Sequence, residues 1–368
     1  MATMSSGLES VTANELKKLG YSTKVENGKV LFKGNERDIV KTNLWLRSAD
    51  RIKIIINRFQ AYSFDELFNN VFKSNIDYFL PLNAYFPVSC KSVKSVLHSE
   101  PDIQSITKKA IVSKISTIYH RRTKLPETGD KYNISININK NDCILALDTT
   151  GDSLFKRGYR IASGNAPIKE NFAAGLILLT NWNPLCMPFY DPTTGSGTIA
   201  IEAALIAKNI APGIFRNFSF EHFDWIDPNL LNLEKQAAYS KVNNNFCEII
   251  GGDINPKMIN IAHINAHNAG VLHDIQFKQI AIKDFYTSLK NGIIVSNPPY
   301  GKRLYDKKKV HEIYYQMGKI YRNMDTWSKY ILTSDLNFEK YYGEKATKKR
   351  KLYNGSIRTD LYQYWSSK

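Results

Sequence analysis

Asp191-Pro192-Thr193-Thr194-Gly195-Ser196-Gly197-Thr198 joins an apolar run, Met187-Pro188-Phe189-Tyr190, to a segment whose Ile199, Ile201, Ala203, Ala204, Leu205 and Ala207 fill a helix-length apolar face. The run reads as a short buried strand and the face as a helix. Gly195 and Gly197 permit a backbone path closed to residues with a β-carbon, so a ligand can approach the main chain and the helix N-terminus. Strand, glycine turn and helix in this order bind nucleotide-like ligands. An ordinary tight turn would use the same glycines, so the reading needs a second motif.

That motif is Ile293-Ile294-Val295-Ser296-Asn297-Pro298-Pro299-Tyr300, an apolar run ending in Asn-Pro-Pro-Tyr. Two prolines fix φ and contribute no donors, which leaves the carbonyls and the Asn297 side chain free as acceptors for an amino group. A rigid loop after a strand would account for the prolines alone. Together and in this order, the two motifs resemble S-adenosyl-L-methionine (SAM) dependent amino-group methyltransferases.

With 368 residues, 43% hydrophobic and 23% charged, the chain has room for more than one globular domain. No apolar run reaches the roughly 18 residues of a membrane span. Ser5, Ser6, Glu9, Asn14 and Glu15 interrupt any signal-peptide core before Lys17-Lys18, and a cytoplasmic location with no membrane partner is expected. Cys90, Cys143, Cys186 and Cys247 have neither metal-ligand nor disulfide-framework spacing. A net charge of +16 points to a polyanionic partner. The local clusters are His120-Arg121-Arg122-Thr123-Lys124, Lys307-Lys308-Lys309 and Lys345 to Lys351. Lysines that merely solvate helices are the competing explanation.

Residues 1–60 read as a small ferredoxin-like α+β domain. A helix carries Leu8, Val11, Leu16 and Leu19, strands lie at 29–34 and 51–59, and a helix lies between them. Residues 61–155 read as a second α+β unit, with helices at 64–70 and 103–119 and strands near 85–89, 134–138 and 143–148. Its position and size resemble the THUMP domain, an RNA-binding module found before methyltransferase domains. Residues 156–368 carry alternating strands and helices and a closing hairpin with Asn354-Gly355 as its turn. The expected fold is therefore α/β. A Rossmann-like class I methyltransferase domain, doubly wound with a C-terminal hairpin, follows the ferredoxin-like and THUMP domains.

Arg157-Gly158-Tyr159-Arg160, then Ala166-Pro167-Ile168-Lys169-Glu170, together with the glycine motif, closely resemble bacterial THUMP-containing guanine-N2 methyltransferases of large-subunit (23S) ribosomal RNA. Sequences of that family are often labelled N6-adenine DNA methylases. The resemblance covers nearly the whole chain. It implies that Lys169, Glu170 and Asn171 lie near the cofactor, although a capped helix start explains the same residues. One departure is Thr194, where the family usually has Cys; a packing role is expected there.

Each expected strand end carries a polar residue: Asp191, Asp253 in Gly252-Asp253-Ile254-Asn255-Pro256, Asp284 in Ala281-Ile282-Lys283-Asp284, and Asn297. In a doubly wound sheet these ends face one crevice. The glycine turn, from Asp191 and Thr193 through Gly195, Ser196, Gly197 and Thr198, would hold the methionine part of SAM. Asp253 with Ile254 is the candidate for the ribose, with helix N-capping as the alternative. The family places Asp284 at the adenine amino group and Ile282 in the adenine pocket.

Asn297, which also borders the cofactor, and Pro298 would accept the N–H bonds of an exocyclic amine, while Tyr300 stacks on the base. No cysteine lies in the motif to serve C5 chemistry, so transfer to nitrogen is preferred. The motif leaves guanine N2, adenine N6 and cytosine N4 open; only the resemblance selects guanine N2 in RNA. An adenine-N6 DNA methyltransferase and an inactive RNA-binding protein are the rivals. His263 and His267 share a helix face without a third ligand, so no metal is expected.

Overall fold

In the computed structural model, residues 1–161, 168–299 and 307–366 are described. Among them, two seven-stranded sheets carry the fold. The first contains β1 (Ala2–Met4), β2 (Thr23–Glu26), β3 (Lys29–Phe32), β4 (Ala49–Gln60), β5 (Val88–Val93), β6 (Ile134–Asn139) and β7 (Asp142–Asp148), in the order β2-β3-β1-β4-β7-β6-β5. Its helices are α1 (Glu9–Lys18), α2 (Glu36–Trp45), α3 (Phe64–Phe72) and α4 (Glu100–Ile118).

The long β4 makes this one sheet rather than two. Its start pairs with β1, as Ala2↔Ile52 shows, and its end pairs with β7 from Lys53↔Asp148 to Gln60↔Asp142. The short β1 and β2 carry too few residues to show an alternation, and pairing alone defines them. The strand expected near Tyr85 starts at Val88. Tyr85 instead forms an isolated bridge to Lys131, because Pro87 has no N–H to extend the ladder.

The second sheet contains β8 (Phe189–Asp191), β9 (Ile249–Asp253), β10 (Gln276–Gln279), β11 (Ile293–Ser296), β12 (Ser328–Thr333), β13 (Lys348–Asn354) and β14 (Ile357–Tyr364). Its order is β10-β9-β8-β11-β12-β14-β13, parallel except for the antiparallel closing hairpin. Helices α5 (Glu170–Leu178), α6 (Thr198–Ala207), α7 (Leu230–Tyr239), α8 (Pro256–Asn268), α9 (Lys307–Tyr321) and α10 (Phe338–Tyr342) complete it. The sheet is covered on both faces, and β8, β11 and β12 are buried throughout, as a parallel sheet requires. This is the doubly wound sheet with a C-terminal hairpin read from the sequence.

The two halves meet through buried charge. Arg47, at the end of α2, donates to the carbonyls of Ile210 (2.7 Å) and Leu205 (3.4 Å). Arg157, itself buried, donates to the carbonyls of Arg47 and Leu154 and lies 3.4 Å from Glu202 on α6. No helix among the described residues is long and apolar enough to cross a membrane.

Candidate active site

β8 pairs with β9 on one side and with β11 on the other, so the chain reverses its winding direction between β8 and β11. Open α/β sheets bind ligands at such a switch point, outside the carboxyl ends of their strands. Asp191 ends β8, Asp253 ends β9, Ile282–Asp284 form a single 3-10 turn after β10, and Asn297 follows β11. The fold brings all four positions to the same edge.

Gly195 and Gly197 both lie in the left-handed region, at φ +52° and +86°, and Gly197 precedes the first residue of α6. A β-carbon on Gly197 would lie 3.0 Å from the Ala262 Cβ on α8, whereas one on Gly195 would meet nothing within 4 Å. Gly197 is required by close helix packing, whereas Gly195 leaves open space beside the turn. Gly195 N–H donates to Asp253 Oδ2 at 3.0 Å, and Asn255 N–H donates to Oδ1 at 2.8 Å. Helix capping falls to Asn255, whose side chain accepts from Lys257 N–H. Asp253 instead clamps the glycine turn.

Further bonds make the turn rigid. The Thr193 and Ser296 hydroxyls are 3.0 Å apart, tying the loop after β8 to the end of β11. Thr198 Oγ1 accepts from Arg160 Nη2 at 2.9 Å and lies 3.4 Å from Ser196 Oγ, while the Ser196 carbonyl accepts from Asn265 at 3.0 Å. Thr194 is buried, and a β-carbon on Gly251 would lie 3.0 Å from its hydroxyl, so it packs under the turn against β9.

Two strand-end acceptors at the switch point, Asp191 Oδ2 and Asn297 Oδ1, have no partner among the described residues, and the neighbouring Tyr190 and Thr194 hydroxyls are unpaired as well. Asp191 is fully buried; its Oδ1 accepts weakly from Thr193 N–H at 3.4 Å and its Oδ2 from nothing. Burial, reinforced by the charge of Asp253 and only partly offset by the nearby Thr194 hydroxyl and backbone N–H groups, pushes its carboxyl up to about 7. Asn297 Oδ1 is likewise buried and unpaired. An unsatisfied buried polar group costs about 1–3 kcal/mol, so two on neighbouring strands mark a place built for donors. Ile254 is 67% exposed, Ile282 is half-buried and Asp284 is exposed. Tyr300 lies outside the described residues.

The bridge residues divide. Glu170 is buried, pairs with Arg160 Nε at 2.8 Å, and so connects through Arg160 to Thr198; burial raises its carboxyl pKa despite that arginine. Asn171 instead donates to Asp50 Oδ1 (2.8 Å) and the Ala49 carbonyl, and Lys169 Nζ sits 4.7 Å from the Phe155 ring centroid. These two side chains serve the junction with β4 and the preceding loop. Arg160 and Ser296, which support the turn, lie in the two flanking motifs without a role there being legible, and Asn265, which also supports it, lies in no motif. His263 packs edge-on against Phe277 at 5.1 Å.

The model of the RMKL-like methyltransferase domain matches residues 157–363. The chain belongs to the RMKL-like methyltransferase family. Models of the RlmL ferredoxin-like domain and the THUMP domain match residues 1–53 and 61–148. Membership in this family agrees with the resemblance drawn from the motifs at Asp191 and Asn297. YpsC of Bacillus subtilis strain 168, named as an RNA methyltransferase, is 50% identical over 100% of this chain and 95% of its own.

A ribosomal RNA large subunit methyltransferase K/L of Shewanella baltica, strain OS185, is 30% identical over 95% of this chain. The match covers 50% of that relative, so this RMKL-like chain spans about half the K/L length. In a crystal structure, SMU.472, described as a methyltransferase complexed with S-adenosylhomocysteine, superposes with a TM-score of 0.93 at 49% identity. That match covers 100% of this chain and 97% of SMU.472.

Proposed function

We propose that this protein transfers a methyl group from SAM to the exocyclic amine of an RNA base, with guanine N2 of large-subunit (23S) ribosomal RNA as the target. The observation that carries the reading is the pair of buried, unpartnered acceptors, Asp191 Oδ2 and Asn297 Oδ1, on adjacent strand ends at the switch point. Names of the relatives support RNA as the substrate class, and the THUMP match at 61–148 supports residues 61–155 as the unit that engages it.

The residues fit the cofactor. Asp191, Thr193, Gly195, Ser196, Gly197 and Thr198 would hold its methionine part, Asp253 with Ile254 its ribose, and Ile282 with Asp284 its adenine. SAM, when bound, supplies a methyl group already activated on a sulfonium. The protein's task is then to place an amino nitrogen in line with it, and positioning of this kind is worth about 7–11 kcal/mol.

An exocyclic amine is a weak nucleophile because its lone pair is delocalised into the ring. Asn297 Oδ1 and the Pro298 carbonyl each accept one N–H, which turns the lone pair toward the methyl group and favours the charge developing on nitrogen. Tyr300 stacks on the extruded base, an interaction worth about 1–3 kcal/mol.

The deciding experiment offers labelled SAM with naked 23S ribosomal RNA lacking the modification, with assembled subunits and with duplex DNA, then identifies the methylated nucleoside. N2-methylguanosine in RNA alone is the expected outcome. N6-methyladenine in DNA would replace the reading with the first rival. Tight SAM binding with no transfer to any of these substrates would remove ribosomal RNA as the target.

A further inference from the structure

The closing hairpin is longer than the sheet it completes. The β12–β14 ladder ends at Thr333↔Asp360, but the β13–β14 ladder continues through Leu352↔Thr359 and Tyr353↔Arg358 to Asn354↔Ile357. Because β12 runs parallel to β11, the extra residues project beyond the carboxyl ends of the strands, on the crevice side, by about 10 Å.

The projecting part carries a particular chemistry. Residues directly opposite share a face, as do residues two apart along a strand, so Lys349, Lys351, Tyr353, Arg358, Asp360 and Tyr362 line one side of the hairpin, where the mostly buried Asp360 pairs with Arg358 at 3.3 Å and leaves the cations in excess. Tyr362 is packed into the core under α9 and α10, which identifies that side as the one α9 covers. Lys351 and Arg358 are exposed there, and Lys351 Nζ lies 5.3 Å from the Tyr353 ring centroid. The first turn of α9 adds exposed Lys307 and Lys309 and no acid. Contacts of His311 with Asp335 (3.1 Å) and of the Tyr314 hydroxyl with Thr333 (2.8 Å) anchor that turn above the end of β12.

We propose that Lys307, Lys309, Lys351 and Arg358, with Tyr353 between the last two, form a rim that grips the phosphate backbone of the RNA beside the target base. The inference rests on the RNA methyltransferase reading above. Strand order supports it: the candidate cofactor residues follow β8, β9 and β10, and the rim lies across β11 from them, on α9, β13 and β14. The nucleic acid thus enters from the side the cofactor leaves open, over Asn297.

Lysines on an edge strand also prevent edge-to-edge pairing. That explanation suits Lys348 and Lys349, on the part of β13 that runs beside the body of the sheet. It does not suit the tip, where Ile357 is 53% exposed, nor cations on a neighbouring helix.

The test compares two full-length variants with the wild type. One is Lys307→Gln, Lys309→Gln, Lys351→Gln and Arg358→Gln. The other, Lys17→Gln, Lys18→Gln, Lys24→Gln and Lys33→Gln, removes the same charge from exposed positions on α1, β2 and the loop after β3. Binding to transcribed 23S ribosomal RNA is measured across a salt series, with SAM affinity and methyl transfer in parallel.

Each lost phosphate contact flattens the slope of log K against log salt by about 0.7–0.9, so the rim variant should flatten it by about 3 and the control hardly at all, with SAM affinity unchanged in both. Equal slopes in the two variants overturn the rim, even when transfer proceeds. A flattened slope without methyl transfer by the wild type supports the rim and defeats the assigned substrate instead.

Discussion

Gly195 donates its backbone N–H to Oδ2 of Asp253 across 3.0 Å, so the glycine turn after β8 and the acid ending β9 are one hydrogen-bonded unit. Asp253 also accepts from Asn255 N–H, and both bonds are charge-assisted. Asp253→Ala should therefore act twice, lowering SAM affinity and destabilising the free protein by about 1–3 kcal/mol. Asp253→Asn, which keeps one acceptor oxygen, should cost less stability. Calorimetric binding and urea unfolding of the two variants separate the effects; an unchanged midpoint in Asp253→Ala would contradict the clamp.

The two glycines of the turn should fail differently when given a methyl group. Each pays about 1–2 kcal/mol for a left-handed backbone, but only Gly197→Ala also pushes into Ala262. We expect Gly197→Ala to melt several degrees below Gly195→Ala, and Gly195→Ala to lose cofactor affinity while remaining folded. The reverse order of melting temperatures would refute the packing account.

Asp191 should make ligand-free stability depend on pH. Its folded carboxyl titrates near 7 against 3.8 for the unperturbed group, so between those values the folded state keeps a proton that the unfolded chain has lost. Stability from this group therefore falls as pH rises across that window and levels off above it. Asp191→Asn should raise the melting temperature relative to wild type at roughly pH 8 more than at roughly pH 5, while weakening SAM binding. A variant that gains nothing at the higher pH would show that the buried carboxylate is compensated.

Asn297→Ala removes the unpaired acceptor without emptying the cofactor side of the crevice. Loss of one such positioned group costs about 100- to 1,000-fold in kcat, and SAM affinity should stay within a few-fold of wild type. Single-turnover transfer with saturating SAM measures this directly. Retention of full kcat would remove Asn297 from the chemistry.

Arg157→Ala should be among the most destabilising single changes. It strips donors from the carbonyls of Leu154 and Arg47 and, among the described residues, leaves the buried Glu202 with the Tyr159 hydroxyl as its hydrogen-bond donor and Arg47 as the nearby buried cation. Breaking a buried pair from one side costs about 3–5 kcal/mol. Denaturation monitored in both halves should show them destabilised together. For the same reason, removing residues 1–155 strips partners from Arg157 and Asn171, and point substitutions are the better probe of RNA binding.

What the sequence determined by itself was local. Glycines at 195 and 197, the double proline after Asn297 and the apolar runs before them encode strand, turn and acceptor through φ restrictions and period, which need no distant partner. The strands and helices of the catalytic half were legible for that reason, and so was the family.

Tertiary structure alone decided what depends on pairing. The short β1 and β2 are defined by the ladders they form, β1 with β3 and β4 and β2 with β3, and β4 fuses two α+β units into one sheet by pairing with β1 at its start and β7 over the rest. Asp253 reads equally well as a helix cap or a ligand for a hydroxyl, and only its distance to Gly195 reveals the clamp. Asn171 looked like a neighbour of the cofactor until its amide was seen bonded to Asp50. The overhang of the β13–β14 hairpin is a difference between two ladder lengths, and register between strands far apart in sequence is written in no local pattern.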